Sequence, residues 1–323
     1  MKRYGLAGVV VLLLAVSFVS AQGRGQAGGR GANEPPPINY NTKMPWSSWE
    51  AGVNTWWANF PREAQGVEPF KIFDNLYYVG IQTGQALLIP TSDGLILIDA
   101  TWAETADLVL NSIRKVGFDP ANIKYILISH GHGDHFAGVG RIKQVAVNAR
   151  IGTSAADWEL IESQQGRPES GLPFKRDLVV NDGDVIKLGD MALKIYVTPG
   201  HSAGALAFDI PARIGKKTYR ILNPRVGIRI PANMTEAYIK SMERLKALGP
   251  WDGYLPEHSF LSMRTAQISP RDFYLGPAPL PKPAGPNASV QGPAAVNAFF
   301  DEMLKVAREK LAAEQKSRPQ PTQ

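Results

Sequence analysis

A series of short apolar runs that begins near residue 70 constrains the fold of this chain more than any other feature. LYYVG, ALLIP and LILIDA are separated by Gly, Thr, Ser and Asp-Gly, a pattern that is typical of strands in a meander. An amphipathic helix ending at Gly117 is predicted next, because apolar residues recur at helical spacing: Ala106, Val109, Leu110 and Ile113. Strand and helix signals that alternate within one block indicate a mixed α and β class.

Later segments continue the alternation. The runs YILIS (125–129) and LKIYVT (193–198) are predicted strands, and each leads directly into a histidine-bearing loop. A helix is predicted to begin with Thr235 as its cap. A last helix, 295–315, is expected to pack onto the domain and close it, with an apolar face formed by Phe299, Met303 and Val306.

The first 21 residues have the pattern of a secretory signal peptide. MKRYG carries the positive charges, LAGVVVLLLAVSFV is apolar, and Val19-Ser20-Ala21 offers small side chains for cleavage. The alternative is an uncleaved membrane anchor, but an apolar run of about 14 residues is shorter than the roughly 20 that a span needs. We therefore expect cleavage after Ala21, a periplasmic or secreted protein, and no later membrane span.

Composition excludes several classes of function. The chain has no cysteine, which excludes disulfides, cysteine nucleophiles and thiolate metal sites, so any metal must be bound by His, Asp or Glu. The net charge of +6 is spread along the chain and does not indicate nucleic-acid binding. Residues 22–45 are rich in Gly and Pro and are predicted to form a flexible tether before one domain, 46–323. We expect a monomer.

Three of the five histidines lie with an aspartate in one segment, ISHGHGDHFAG at 128–138. His130 and His132 are two residues apart at the end of a predicted strand, where both side chains point to the same side and can reach one metal ion. Asp134 and His135 lie at the turn that leaves the strand. Consecutive residues at a turn point in different directions, so these two suit a second, neighbouring ion better.

The remaining two histidines complete a set of six candidate ligands. His201 follows LKIYVT, and His258 follows the run Gly253–Leu255, so both lie near predicted strand ends. A catalytic zinc usually has three protein ligands and one water, so two zinc ions need about six ligands. We expect zinc, with iron or manganese as alternatives. For each histidine the alternative is an ordinary surface or core residue, and it is strongest for His258.

These motifs resemble a known family. HGHGDH at a strand end is similar to the HxHxDH signature of the metallo-β-lactamase superfamily. LILIDA (95–100) resembles the family's first motif, whose aspartate is Asp99 here, and TPGHSAG (198–204) resembles its third. The resemblance covers residues 70–262 in the family's order. It implies a four-layer αββα sandwich with a di-zinc site at its edge.

The resemblance also implies a role for each residue. One zinc would be held by His130, His132 and His201, and the other by Asp134, His135 and His258. Asp134 would in addition orient the hydroxide that bridges the two ions. Asp99 would orient a ligand by a hydrogen bond. The alternative for Asp99 is an ordinary turn residue at a strand end.

The chain resembles one subclass in particular. Many relatives have a bridging Asp or a Cys on the strand after the third motif, but YRILNPRVGI (219–228) contains neither. This is similar to the cysteine-free, di-zinc subclass of true metallo-β-lactamases, which implies hydrolysis of β-lactam amides and antibiotic resistance. That subclass commonly has serines near 223–227 that bind the drug's carboxylate. Here Arg225 or Arg229 is the candidate contact, with a solvated surface charge as the alternative.

Two other functions stay open. The first is hydrolysis of another small ester, lactone or thioester on the same fold. The second is metal binding without catalysis. Chelator-sensitive turnover of a β-lactam, turnover of lactones or thioesters alone, or zinc binding without turnover would distinguish the three.

Overall fold

The computed structural model describes residues 66–81, 84–225, 230–255 and 290–317. Seven strands form one sheet whose spatial order equals chain order: β1 (Phe70–Phe73), β2 (Leu76–Tyr78), β3 (Leu87–Thr91), β4 (Gly94–Ile98), β5 (Ile123–Leu127), β6 (Arg150–Thr153) and β7 (Leu178–Val179). Strands β1 to β4 are antiparallel neighbours, which confirms the predicted meander. Strands β4 to β7 are parallel neighbours.

Five strands form the second sheet: β8 (Val185–Leu188), β9 (Met191–Val197), β10 (Leu206–Ile214), β11 (Lys217–Asn223) and β12 (Gly253–Tyr254). Their spatial order is β12-β11-β10-β9-β8. Neighbouring strands are antiparallel except for β11 and β12, which are parallel.

Six helices accompany the sheets in the described part of the chain: α1 (Ala106–Lys115), α2 (Gly133–Phe136), α3 (Val139–Lys143), α4 (Ala155–Glu162), α5 (Thr235–Ala247) and α6 (Pro293–Ser317). Short helix α2 contains the Asp134-His135 pair of the histidine cluster. Helix α1 has the boundaries and the buried face that its sequence pattern predicts.

The two sheets pack face to face through a shared apolar core. Ile96 and Ile98 of β4 belong to this core together with Ile195 and Phe208 of the second sheet. The alternate residues of β4, such as Leu97, belong to a different core on the outer face of the first sheet. Because both faces are covered, the central strands are nearly continuous apolar runs.

Helices form the two outer layers. Val109 and Ile113 of α1 pack against the first sheet with Leu97. Met242 of α5 and Phe300 of α6 pack against the second sheet. The order of layers is therefore helix, sheet, sheet, helix, and the expected αββα sandwich of mixed α and β class is confirmed.

Two details differ from the sequence-based expectation. Thr235 is not the cap of α5 but its first residue; the cap position is Met234, and the Thr235 hydroxyl donates to Glu314 Oε1 at 2.9 Å. Helix α6 is slightly longer than predicted, and its buried face is rotated relative to the predicted one. That face is formed by Val296, Phe299, Phe300, Leu304 and Ala307, whereas Met303 and Val306 are half-buried.

The expected signal peptide, 1–21, and the expected tether, 22–45, lie outside the described residues. None of the helices in the described ranges combines the length and the apolar character that crossing a bilayer requires.

Candidate metal centre

Three loops that carry the candidate residues meet at one edge of the sandwich. Asp99 follows β4, and the histidine segment 128–135 follows β5. Because β4 and β5 are parallel neighbours, their carboxyl ends lie at the same edge. His201 follows β9 of the other sheet. A backbone hydrogen bond from Leu206 N to Ser129 O, 2.7 Å long, joins the two sheets there.

The structure brings together His130, His132 and His201, the three residues that the family resemblance assigns to one ion. One ring nitrogen of each lies within 4.8 Å of the others. His132 Nδ1 and His201 Nε2 are 2.7 Å apart. We refer to these three residues as the histidine trio.

Asp134 and His135 form a second group beside the trio. His135 Nε2 lies 3.2 Å from Asp134 Oδ2, and His130 lies within 4.8 Å of both. His130 is therefore positioned between the two groups. His258, the predicted third ligand of the second ion, lies outside the described residues.

Asp99 fixes the orientation of two imidazole rings. Its carboxylate accepts hydrogen bonds from Ser129 N (2.7 Å), Ser129 Oγ (2.8 Å) and His135 Nδ1 (2.8 Å). Since the hydroxyl proton of Ser129 points to Asp99, the Ser129 oxygen is left to accept from His130 Nδ1 at 3.2 Å. Both histidines thereby present Nε2 toward the cluster, which is the arrangement that metal-binding histidines adopt.

The backbone around Asp99 is strained. Asp99 and Thr101 have positive φ angles of 63° and 58°. A β-branched residue such as Thr101 rarely adopts this left-handed region. Neighbouring backbone hydrogen bonds hold this segment: Ala100 N donates to His135 O (2.8 Å) and Gly138 N donates to Thr101 O (3.0 Å). Such strain costs about 1–3 kcal/mol per residue and clusters at functional sites.

The charges of the site differ between its two halves. Burial, together with the charges of His135 and Arg225, lowers the pKa of His130 well below its ordinary value. Burial also acts to lower the pKa of His135, but the carboxylates of Asp134 and Asp99 outweigh it and raise that pKa to about 10. Without a metal ion, the neutral form of His130 is therefore favoured, whereas the two carboxylates favour the protonated form of His135. Imidazole nitrogens with a carboxylate form a donor set that suits zinc.

Sequence reasoning missed Asp157, a buried carboxylate of α4. It accepts hydrogen bonds from both loops that carry the trio: from Gly131 N at 3.0 Å, from Ser202 Oγ at 2.7 Å and from Gly204 N at 3.1 Å. The available signal was the Ser-x-x-Asp pattern at the start of α4, where Ser154 Oγ accepts from Asp157 N. That pattern predicts a helix start, but not a contact with distant loops.

Arg225 is buried, with 4% exposure, so the interpretation as a solvated surface charge is wrong. Its charge adds to the effect of burial in lowering the pKa of His130 and opposes the burial that raises the pKa of Asp157, which places it near both residues. Arg229, the other candidate for substrate binding, lies outside the described residues. Asp209 is not available as a bridging ligand, because it pairs with Arg220 at 2.8 Å.

Metallo-β-lactamases are among the solved structures that resemble this chain. A subclass B3 metallo-β-lactamase from Bradyrhizobium japonicum is 27% identical and superposes with a TM-score of 0.63, covering 78% of this chain and 97% of that one. A β-lactamase from Chitinophaga pinensis is 25% identical with a TM-score of 0.65, covering 78% and 97%.

The curated sequences that resemble this chain include hydroxyacylglutathione hydrolases. A hydroxyacylglutathione hydrolase from Cereibacter sphaeroides is 30% identical over 142 residues, which are 44% of this chain and 49% of that protein. The chain thus matches about half the length of this relative. Residues 80–213 match the model of the metallo-β-lactamase superfamily. This part of the chain is therefore a metallo-β-lactamase superfamily domain, and its clustered His and Asp side chains could hold a metal ion.

Proposed function

We propose that this protein is an exported di-zinc hydrolase that opens the amide bond of β-lactam rings. The observation that carries this proposal is the candidate ligand set. Six positions, His258 included, are candidate His and Asp ligands, and the second strand after the third motif contains no carboxylate. That strand, β11, ends at Asn223, whose side-chain amide donates to Gln85 Oε1 (3.0 Å) and to Leu255 O (2.6 Å).

The extent of the structural similarity to β-lactamases also supports β-lactams as the substrate class. The Bradyrhizobium japonicum lactamase is matched in structure over 97% of its length, and the sequence match to the Cereibacter sphaeroides hydroxyacylglutathione hydrolase covers 49% of that protein. The pattern of residues 1–21 supports export, as expected for an enzyme that meets β-lactams outside the cytoplasm.

When bound, zinc supplies Lewis acidity toward a carbonyl oxygen and lowers the pKa of water toward neutrality. The chain's own residues supply orientation. The Asp134 side chain is 13% exposed, so its carboxylate can accept a hydrogen bond from the attacking water at the mouth of the site. Asp99 and Ser129, both fully buried, hold the imidazoles of His130 and His135 behind it.

Arg225 is our candidate for the contact with the substrate's carboxylate. A guanidinium offers two parallel donors to a carboxylate, a geometry that lysine does not reproduce. Replacing Arg225 with Lys is therefore expected to raise KM for carboxylate-bearing β-lactams about tenfold with little change in kcat. A KM that stays at the wild-type value would remove Arg225 from the substrate site.

The first test is hydrolysis of nitrocefin and a carbapenem by the full chain, expressed with its leader. Turnover is expected with zinc, is expected to stop on chelation and return on zinc addition, and is expected to be absent in His132→Ala. The control is Asp119→Asn, which alters an exposed carboxylate bonded to Ala121 N at the opposite end of β5. A wild-type protein that binds zinc but opens neither compound contradicts the proposal.

A second candidate function is hydrolysis of a thioester. The similarity to hydroxyacylglutathione hydrolases supports it, because that similarity reaches 30% identity. The absence of serines in 223–227 also favours it, since these are the lactamase side chains that bind the drug. Turnover of a hydroxyacylglutathione by the zinc-loaded chain, without turnover of nitrocefin, would assign this function instead.

A further inference from the structure

The two loops that carry the histidine trio approach each other across one helix. His130 and His132 lie on the loop after β5, and His201 lies on the loop after β9. These strands belong to different sheets and do not pair with each other, so the distance between the loops depends on contacts outside the strands, including the backbone hydrogen bond from Leu206 N to Ser129 O. Helix α4 packs against both loops and is therefore placed to determine that distance.

Steric contacts show how closely α4 approaches. A Cβ atom on Gly131, between the two histidines, would lie 3.0 Å from Asp157 O. A Cβ atom on Gly204 would lie 1.9 Å from Ser154 Oγ and 2.9 Å from Asp157 N. Contact with the first turn of α4 thus requires glycine at 204 and leaves little room for a side chain at Gly131.

Hydrogen bonds connect the same surfaces. Asp157 Oδ2 accepts from Gly131 N and from Ser202 Oγ, and Oδ1 accepts from Gly204 N. Gln164, just after α4, donates to Gly131 O at 2.7 Å. Both backbone polar groups of Gly131 are therefore hydrogen-bonded to side chains of α4 or its end: its N–H to Asp157 and its C=O to Gln164.

The buried position of Asp157 needs an explanation. Burial raises the pKa of this carboxylate against the opposing effect of its three hydrogen bonds. A buried carboxylate is costly, and an apolar residue at the same position would avoid that cost. Gly131 and Ser202 are next to members of the histidine trio, and Gly204 lies three residues after His201, so the contribution of Asp157 is to the geometry of the trio.

We propose that Asp157 is the positioning residue of the histidine trio. It fixes the separation of the two loops so that His132 Nδ1 and His201 Nε2 face each other before a metal ion arrives. Asp157 itself does not contact the ion. The inference rests on the proposed metal-dependent function, because it assigns a role in preparing that metal site.

The test compares Asp157→Asn with the wild-type chain. Asparagine has one acceptor oxygen and one NH2 group, so it leaves an N–H group of Gly131 or of Gly204 facing another donor. We expect the zinc dissociation constant of the trio to rise at least about tenfold, as when partners of metal ligands are removed. The affinity of the site that contains Asp134 and His135 should change less than threefold.

Two measurements give the readout. Competition with a chelator gives the two zinc dissociation constants, and cobalt(II) absorption reports the ligand geometry of each site. Ser202→Ala, which removes one of the three hydrogen bonds, should give a smaller loss of the same kind. Ser202→Ala also replaces Asp157→Asn as the test variant if Asp157→Asn does not fold. Asp119→Asn is the matched control, because it changes an exposed carboxylate with a backbone partner.

The outcomes are distinct. If Asp157→Asn lowers the melting temperature of the metal-free chain but leaves both dissociation constants and the cobalt spectrum unchanged, the residue is only structural and the proposal is overturned. A wild-type chain that binds no metal overturns both this proposal and the proposed function. A wild-type chain that binds metal but opens no β-lactam overturns the lactamase function alone, and the comparison of dissociation constants still decides the role of Asp157.

Discussion

Replacing Asp99 with Asn is a sharp test of how the second metal group is organised. Asn retains the acceptor for Ser129 N and tolerates the positive φ of this position. It places an NH2 group where Oδ2 now accepts from His135 Nδ1 at 2.8 Å. An NH2 group can only donate there, so His135 must carry its proton on Nε2, the atom that faces Asp134.

The expected change in zinc affinity follows from the loss of the hydrogen-bond acceptor for His135 Nδ1. Removing the partner of a metal-binding histidine typically costs 10–100-fold in metal affinity, or about 1.4–2.8 kcal/mol. The change concerns one charge-assisted hydrogen bond of His135, which lies in the second group. We therefore expect the zinc dissociation constant of that group to rise by this factor, with a smaller change at the trio.

Chelator competition measures both constants, and proton NMR of the zinc-loaded chain supplies a second readout. The Nδ1 proton of His135 is buried against Asp99 and should give a slowly exchanging resonance that disappears in Asp99→Asn. Asp107→Asn is the control, because it breaks an exposed ion pair with Arg141. Unchanged zinc affinity together with a persisting resonance would refute the assignment of Asp99 as the residue that orients His135.

Two further predictions concern stability. Gly138→Ala should lower the free energy of unfolding by about 1–3 kcal/mol in chemical denaturation, because the added Cβ would clash with Ala100 O. Gly66→Ala is the control and should have little effect, because its added Cβ would have no neighbouring atom within 4 Å. Equal losses of stability in the two variants would contradict this prediction. Burial acts to raise the pKa of Asp182, but Arg244 outweighs it and lowers that pKa below the ordinary value. The wild type should therefore have a higher melting temperature than Asp182→Asn at neutral pH. This difference in melting temperature should disappear as the pH falls below about 4 and Asp182 is protonated. A melting difference that persists at pH 2 would contradict the ion-pair explanation.

The strands and the histidine cluster could be predicted because their signals are local. Apolar alternation defines β3 to β5, and His130 and His132 lie on one side of a strand end whatever the rest of the chain does. Their spacing therefore determines that both rings reach one place. The arrival of His201 at the same place depends on the sandwich, which only the resemblance to a family supplied.

Other features could not be predicted because they depend on distant contacts. Asp157 acts on residues that are 26 to 47 positions away in the sequence. The positive φ of Thr101 is unexpected for a β-branched residue and is imposed by the hydrogen bonds of its neighbours. Arg225 resembles a surface charge by its residue type, and only the packing of the loop shows that it is buried.

The origin of the trio from both sheets has a thermodynamic consequence. A metal ion held by His132 and His201 is a cross-link between two sheets that otherwise join through an apolar core and hydrogen bonds such as Leu206 N to Ser129 O. A ligand that binds only the folded state stabilises it by about 2.7 kcal/mol when its concentration is 100 times the dissociation constant. That amount is a large part of the stability of an ordinary domain. For a chain without cysteine, the supply of zinc would then govern how long the folded protein survives heat and proteases.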